Sequence, residues 1–287
     1  MKTFIINIFF ICTAYFYSND TLASEAISYG DNISHGHYYN VGDANIYYEV
    51  YGNGEPLLLL HGGLYGSIAE FSKYIPKLSQ SFKVIAVSTR GHGKSEIGSR
   101  PFSYKLLAQD AINILQYESN EPATLLGFSD GAITGFIIGA QLTNQIKSMV
   151  LIAGGLSLDD YQQQGLTWVN EFDGSKLNES FIKARKALMP EPKRWLEFTH
   201  QLKKMWLEPE YISPKAIKNI VASTLIIGGD SDEFIKTSAF VRQKALITGA
   251  QLRVLPNTGH VEALQNEAVF NQYVLPFIKT PSESNNP

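Results

Sequence analysis

The chain has 287 residues, 44% of them hydrophobic and 18% charged, with a net charge of -3. This suits a globular protein with one large core or two small domains. Without a basic cluster, that charge gives no reason to expect nucleic acid or an acidic membrane surface as a partner.

The amino terminus reads separately from the rest. Met1-Lys2 precedes an apolar run from Phe4 to Tyr17, and a short polar exit ends in Leu22-Ala23. A leading cation, a short apolar run and a small-residue exit predict a secretory signal peptide over residues 1–23. Cleavage is expected after Ala23, with Ala26 as the second choice. The run is short for a membrane span, which needs about 20 apolar residues. The mature chain is therefore expected in the periplasm or outside the cell, without stable membrane insertion. Cys12, the single cysteine, lies inside this segment. The mature chain would have no disulfide and must be stable through its core.

Residues 24–42 are polar, rich in Gly, Asn and Tyr, and read as an irregular lead-in. A strand is expected over Asn45–Tyr51, followed by a turn at Gly52-Asn53-Gly54. Leu57-Leu58-Leu59-Leu60 and Val84-Ile85-Ala86-Val87 are continuous apolar runs, the pattern of strands buried on both faces. Ala123-Thr124-Leu125-Leu126, Met149-Val150-Leu151-Ile152 and Thr224-Leu225-Ile226-Ile227 repeat it, and Arg253-Val254-Leu255 reads as a last strand.

Helical spacing lies between these runs. Leu107, Ala111, Ile114 and Leu115 share a face, with Ser103 as N-cap. Ile133, Phe136, Ile137 and Ala140 share another. Gly131, Gly135 and Gly139 recur beside it, each costing about 1 kcal/mol of helix propensity relative to alanine. Such repetition predicts very close approach of that helix to the sheet. Phe270, Tyr273, Val274, Phe277 and Ile278 mark a final helix capped by Asn266. Pro276 should kink it or end it early.

Strands alternating with helices predict an α/β protein with a doubly wound, mostly parallel sheet covered on both faces. Residues 156–220 break the rhythm: they hold no apolar strand run and all three tryptophans, Trp168, Trp195 and Trp206. They read as a helical cap inserted between core strands. The organisation is then a signal peptide (1–23), a first core part (24–155), the cap (156–220), a second core part (221–279) and a polar tail (280–287).

The chemistry centres on Gly127-Phe128-Ser129-Asp130-Gly131. A strand-like run ends there and a helix-like pattern begins, the context of a nucleophile elbow. A serine hydroxyl needs an adjacent base, and the base an orienting carboxylate. Downstream of Ser129 the histidines are His200, in the cap, and His260, in the turn after the last strand. His260 is the expected base. Asp232 is the expected acid, because some loop must intervene after Ile227 for a carboxylate to turn back. Asp230 and Glu233 compete with it, and Asp159 and Asp160 are further alternatives. The oxyanion formed on the substrate needs backbone donors. The amide of Asp130, at a helix N-terminus, is one. The other is expected from His61-Gly62-Gly63-Leu64: Gly63 first, Leu64 next. His61 itself reads as a structural hydrogen-bonding residue. The Asp130 carboxylate either pairs with a cationic group of the substrate or is hydrogen-bonded locally.

Together with Arg90-Gly91-His92-Gly93-Lys94-Ser95 and Gly229-Asp230-Ser231-Asp232, these motifs resemble the α/β-hydrolase superfamily. The likeness is to its capped branch of esterases, C–C bond hydrolases and proline iminopeptidases, and it spans roughly residues 45–278 apart from the cap. Members commonly carry an aspartate shortly before the Arg-Gly-His-Gly segment, where this chain has Val87-Ser88-Thr89. The resemblance implies little about substrate, since the fold hosts many chemistries.

Other patterns are set aside. Gly93-Lys94-Ser95 imitates the end of a phosphate-binding loop, but Ser88 stands where that pattern requires glycine. His35-Gly36-His37 has no acidic or thiol partner nearby for a metal. Asp110 reads as a cap or a bridge between elements. The expected activity is hydrolysis of a carboxylic ester of a small or medium-sized molecule through an acyl-enzyme, with no cofactor or metal. Amide and C–C bond hydrolysis use the same triad. A ligand-binding protein that has lost catalysis is the alternative of another class.

Overall fold

The computed structural model describes residues 27–280. The signal peptide expected over 1–23 and the tail beyond residue 280 lie outside the described residues. The apolar runs form the strands of one eight-stranded sheet, in the order β1-β2-β4-β3-β5-β6-β7-β8. These are β1 (Gly36–Asn40), β2 (Asn45–Tyr51), β3 (Glu55–Leu60), β4 (Phe82–Val87), β5 (Ala123–Phe128), β6 (Ile146–Ile152), β7 (Ser223–Gly229) and β8 (Gln251–Leu255). β1 and β2 run antiparallel to their neighbours, and β4 through β8 pair in parallel.

Successive side chains of a strand point to opposite faces, so each central strand feeds two cores. Leu58, Leu60, Ile85, Val87 and Leu125 pack on one side. Leu57, Leu59, Val84, Ala86 and Leu126 pack on the other. This is why the runs are apolar at every position rather than alternating.

Among the helices, α1 (Ile75–Leu78) is a single turn, and α2 (Tyr104–Glu118) and α3 (Asp130–Gln141) are the long ones of the first core part. The Ser103 hydroxyl caps α2, accepting from the Leu106 amide at 3.2 Å. The glycines of α3 let it sit on the sheet: a Cβ at Gly135 would lie 2.7 Å from Leu151 Cδ2, and one at Gly139 would overlap Met149. Between β6 and β7 the chain forms the expected cap, with α4 (Gln163–Glu171), α5 (Glu179–Leu188), α6 (Trp195–Trp206) and α7 (Pro214–Ile217). α8 (Thr237–Leu246) joins β7 to β8. After β8 come α9 (Glu262–Gln265), α10 (Glu267–Val269) and α11 (Leu275–Lys279).

Two expectations need correction. The lead-in is not irregular throughout, because Gly36–Asn40 is a strand paired with β2. It is short and mostly exposed, so it shows no apolar pattern, yet it satisfies the backbone edge of β2. Its approach is anchored by buried Glu49, which accepts from the Gly30 and Asn32 amides and from the Tyr47 and Tyr51 hydroxyls. At the other end, Pro276 does not stop the last helix. The chain widens into a π-helical turn over Phe270–Val274 and resumes as α11, with Pro276 in its first turn where a missing N–H is tolerated.

Asp110 bridges elements, as its place among apolar positions suggested. It and Asp43 hold the fully buried Arg90, at 2.5 Å and 2.8 Å. Ser95 is also structural, donating to the Ser88 carbonyl and accepting from the Tyr47 amide.

Candidate active site

Parallel strands deliver four loops to one edge of the sheet. β3 and β5 are neighbours with Leu60 opposite Gly127, and β7 and β8 are neighbours with Gly229 opposite Leu255. The loops that carry Gly63, Ser129, Asp232 and His260 therefore leave the same carboxyl-terminal edge, where open α/β sheets bind ligands.

Ser129 has φ 52° and ψ −118°, a conformation that costs a non-glycine residue roughly 1–3 kcal/mol. The flanking glycines make the turn possible. A Cβ at Gly127 would overlap the Gly131 carbonyl, and one at Gly131 would lie 2.7 Å from the His61 carbonyl oxygen. The Ser129 amide is held by the Ile152 carbonyl at 2.8 Å, fixing the elbow to β6.

His260 Nε2 lies 2.9 Å from Ser129 Oγ. Its Nδ1–H donates to Asp232, with the two carboxylate oxygens at 3.0 and 2.9 Å. That bond leaves Nε2 bare to accept the serine proton. Asp232 is oriented in turn by the amides of Phe234 and Ile235, both at 2.8 Å. Burial pushes the His260 imidazolium down, but the charge and hydrogen bond of Asp232, with Glu233 and Asp130, outweigh it and hold its pKa above the ordinary value.

The rejected acids have other partners. Asp230 accepts from the Ser231 hydroxyl. Asp160 accepts from the Leu156 amide and from Arg242. Glu233 accepts from the His260 amide at 3.0 Å. It fixes the backbone that carries the base.

His61 takes the structural role expected of it. Its Nε2 accepts from the Thr89 amide at 3.0 Å, and its Nδ1 lies 2.6 Å from the Gly62 carbonyl oxygen. Burial pushes its pKa down to about 4, so it is neutral. The amides of Gly63, Leu64 and Asp130 have no protein acceptor among the described residues. Gly63 packs directly against the Asp130 side chain.

The Asp130 carboxylate is bonded within the protein, by partners distant along the chain. Oδ1 accepts from the Tyr104 hydroxyl at 2.7 Å, and Oδ2 from the Trp206 indole at 2.9 Å. Burial pushes its carboxyl above the usual range, against those two donors and His260. Trp206 belongs to the cap, so this bond ties the cap to the elbow. Trp195 and Trp206 are both buried, as members of the cap core. Trp168 instead lines a cavity of about 280 Å³ with Phe234, Glu233, Glu171 and the start of α4. The Phe234 ring, one wall of this cavity, lies 5.1 Å from that of His260.

Sequence reasoning missed Glu70. Its half-buried carboxylate accepts from the Gly62 amide at 2.8 Å. Burial pushes it up to about 7, against the Gly62 N–H, Arg185 and His260. No motif marks Glu70, so no signal in the sequence could have found it. Among the described residues, no group of three or more His, Cys, Asp or Glu side chains could hold a metal ion.

Comparison with known proteins agrees with this geometry. The family model described as alpha/beta hydrolase fold matches residues 56–222. The chain belongs to that family. It is similar to the serine hydrolase BPHL of Mus musculus, at 26% identity over 83% of this chain and 84% of that protein. It is also similar to the 2-hydroxy-6-oxo-6-(2'-aminophenyl)hexa-2,4-dienoic acid hydrolase of Metapseudomonas resinovorans, at 20% identity over 84% of this chain and 90% of the relative. The crystal structure of a carboxylesterase from Bacillus subtilis shares the fold, with a TM-score of 0.68 and 23% identity over 85% of this chain and 91% of that one. The family member carries a serine-hydrolase machinery: a nucleophile-elbow serine beside a buried His-Asp pair.

Proposed function

We propose that the chain hydrolyses carboxylic esters of small or medium-sized molecules through an acyl-enzyme. The observation that carries this reading is the 2.9 Å contact between Ser129 Oγ and His260 Nε2, with Asp232 behind the imidazole. Ser129 attacks the carbonyl carbon as His260 takes its proton. Asp232 keeps the imidazole in the required tautomer and stabilises the imidazolium. The Gly63 and Asp130 amides receive the oxyanion, and the dipole of α3 adds to the second. Collapse of the intermediate expels an alkoxide, which His260 protonates. Water then repeats the sequence on the acyl-enzyme.

An ester makes the least demand on these groups, since its leaving oxygen needs only the proton His260 already holds. C–C bond hydrolysis is the second reading, favoured by the similarity to the dienoic acid hydrolase. It requires a leaving carbanion stabilised within the substrate. Export rests on the sequence of residues 1–23 and belongs to the same proposal.

The test is a screen of p-nitrophenyl esters of rising chain length, amino-acid anilides and a vinylogous 1,5-diketone acid, with Ser129→Ala as control. The proposal expects Ser129-dependent turnover, fastest on short or medium esters. Turnover of the diketone alone would replace it with the second reading. Failure of the folded protein to label with a fluorophosphonate would mark a non-catalytic binding protein.

A further inference from the structure

A Gly-Gly segment has no conformational preference of its own. Glycine visits positive and negative φ with similar ease, so Gly62-Gly63 cannot aim an amide by itself. Yet an oxyanion donor must lie within about 2.7–3.1 Å of where the charge develops. Contacts from outside the pair must hold it.

The structure supplies three. The Gly62 N–H donates to Glu70 Oε2 at 2.8 Å. The Gly62 carbonyl faces His61 Nδ1 at 2.6 Å. Because His61 Nε2 accepts from the Thr89 amide, Nδ1 carries the proton and donates. The Gly63 carbonyl accepts from the Gly66 amide at 2.7 Å. In a trans peptide the C=O of one residue and the N–H of the next point in opposite directions. Turning the Gly62 carbonyl toward His61 therefore turns the Gly63 N–H the other way.

We infer that Glu70 is a positioning residue of the oxyanion loop: it grips the Gly62 amide while His61 grips the Gly62 carbonyl, and the pair fixes the direction of the Gly63 N–H. The inference rests on the serine-hydrolase reading above. Glu70 has a firm base for the task. It sits in a short 3₁₀ turn, Ile68–Phe71, whose Ile68 and Phe71 are buried in the core. Its own amide is held by the Ser67 carbonyl at 3.0 Å. The task needs an acceptor, and a negative charge so near the developing oxyanion would oppose the reaction. A neutral acceptor of the same length should serve equally well.

The experiment measures kcat and KM on p-nitrophenyl acetate for wild type, Glu70→Gln, Glu70→Met and Ser129→Ala. Glu70→Met keeps the volume and removes the acceptor, so kcat should fall about 10–100-fold, part of the loss known for removing a whole oxyanion donor. KM should stay within about threefold, because the lost contact acts on the transition state. Glu70→Gln keeps an acceptor carbonyl and should hold kcat within about threefold of wild type. A wild-type kcat in Glu70→Met overturns the inference, and so does a loss in Glu70→Gln as large as that in Glu70→Met. Should Glu70→Met fail to fold by circular dichroism, Glu70→Asp replaces it. One methylene less withdraws the acceptor, and an unaltered kcat there is equally fatal. The Ser129→Ala control separates the two readings. Activity that survives it refutes the serine-hydrolase reading, whereas Ser129-dependent activity indifferent to Glu70→Met refutes only the role of Glu70.

Discussion

Gly63→Ala tests the oxyanion loop most directly. The added Cβ would lie 2.9 Å from Asp130 Cγ, closer still to Oδ2, and 3.2 Å from Trp206 Cζ2. Carbon atoms in contact prefer about 3.5–4.0 Å, so loop and carboxylate must part by roughly 0.5–1 Å. If the loop gives way, the Gly63 N–H leaves the range in which it can serve the oxyanion. The loss is then about 10²–10³ in kcat, or about 2.7–4 kcal/mol. If the Asp130 side chain gives way instead, the Tyr104 hydroxyl and Trp206 indole lose their acceptor. Each buried donor left unpaired costs about 1–3 kcal/mol of stability. Steady-state kinetics on p-nitrophenyl acetate and urea unfolding distinguish the two routes. Loop displacement is expected, because both carboxylate oxygens are held by buried partners. Asp130→Ala in the same background removes the obstacle and should restore kcat at least about tenfold over Gly63→Ala. A Gly63→Ala protein with wild-type kcat and wild-type stability would refute the reasoning outright. Normal kcat with lowered stability would show that the Asp130 side chain, and not the loop, gave way.

Four further outcomes are expected. The rate requires neutral His260, and Asp232, Glu233 and Asp130 hold its pKa above the ordinary value. The acid limb of kcat/KM should therefore have its midpoint above about 6.5, with activity lost as pH falls through it. Asp232→Asn should lower kcat about 10⁴-fold and, with burial no longer opposed by that charge, shift the limb downward; an unmoved limb would exclude His260 as its source. Arg90→Met removes the partner of buried Asp110 and should cost about 3–5 kcal/mol in urea unfolding. A change below about 1 kcal/mol would mean that the Arg90 cluster is not a structural anchor. Trp206→Phe deletes the indole donor to Asp130 Oδ2 and should destabilise by about 1–3 kcal/mol, and unchanged unfolding would show that this bond does not secure the cap.

The parts of the site legible in the sequence are those whose neighbours along the chain announce them. Ser129 stands between glycines at the junction of an apolar run and a helical pattern. His260 is in the turn after the last strand, and Asp232 in the loop after β7. Strand runs apolar at every position fix burial on both faces, and parallel order then carries the loops to one edge. The glycines of α3 declare its closeness to the sheet because no other reason offsets their cost in a helix. β1 was illegible because an exposed edge strand need not be apolar, and its pairing is a property of β2.

The sequence by itself determined the fold and singled out Ser129 and His260 as the candidate nucleophile and base. Those depend on short-range periodicity and on the few residue types able to perform the chemistry. Tertiary structure alone decided how these groups are held: Glu70 on the Gly62 amide, Glu233 on the His260 amide, and Tyr104 and Trp206 on the Asp130 carboxylate. Trp206 meets Asp130 across 76 residues of chain. A hydrogen bond needs only two polar atoms at the right distance and angle, and at such separations only the packing of cap against core sets that distance.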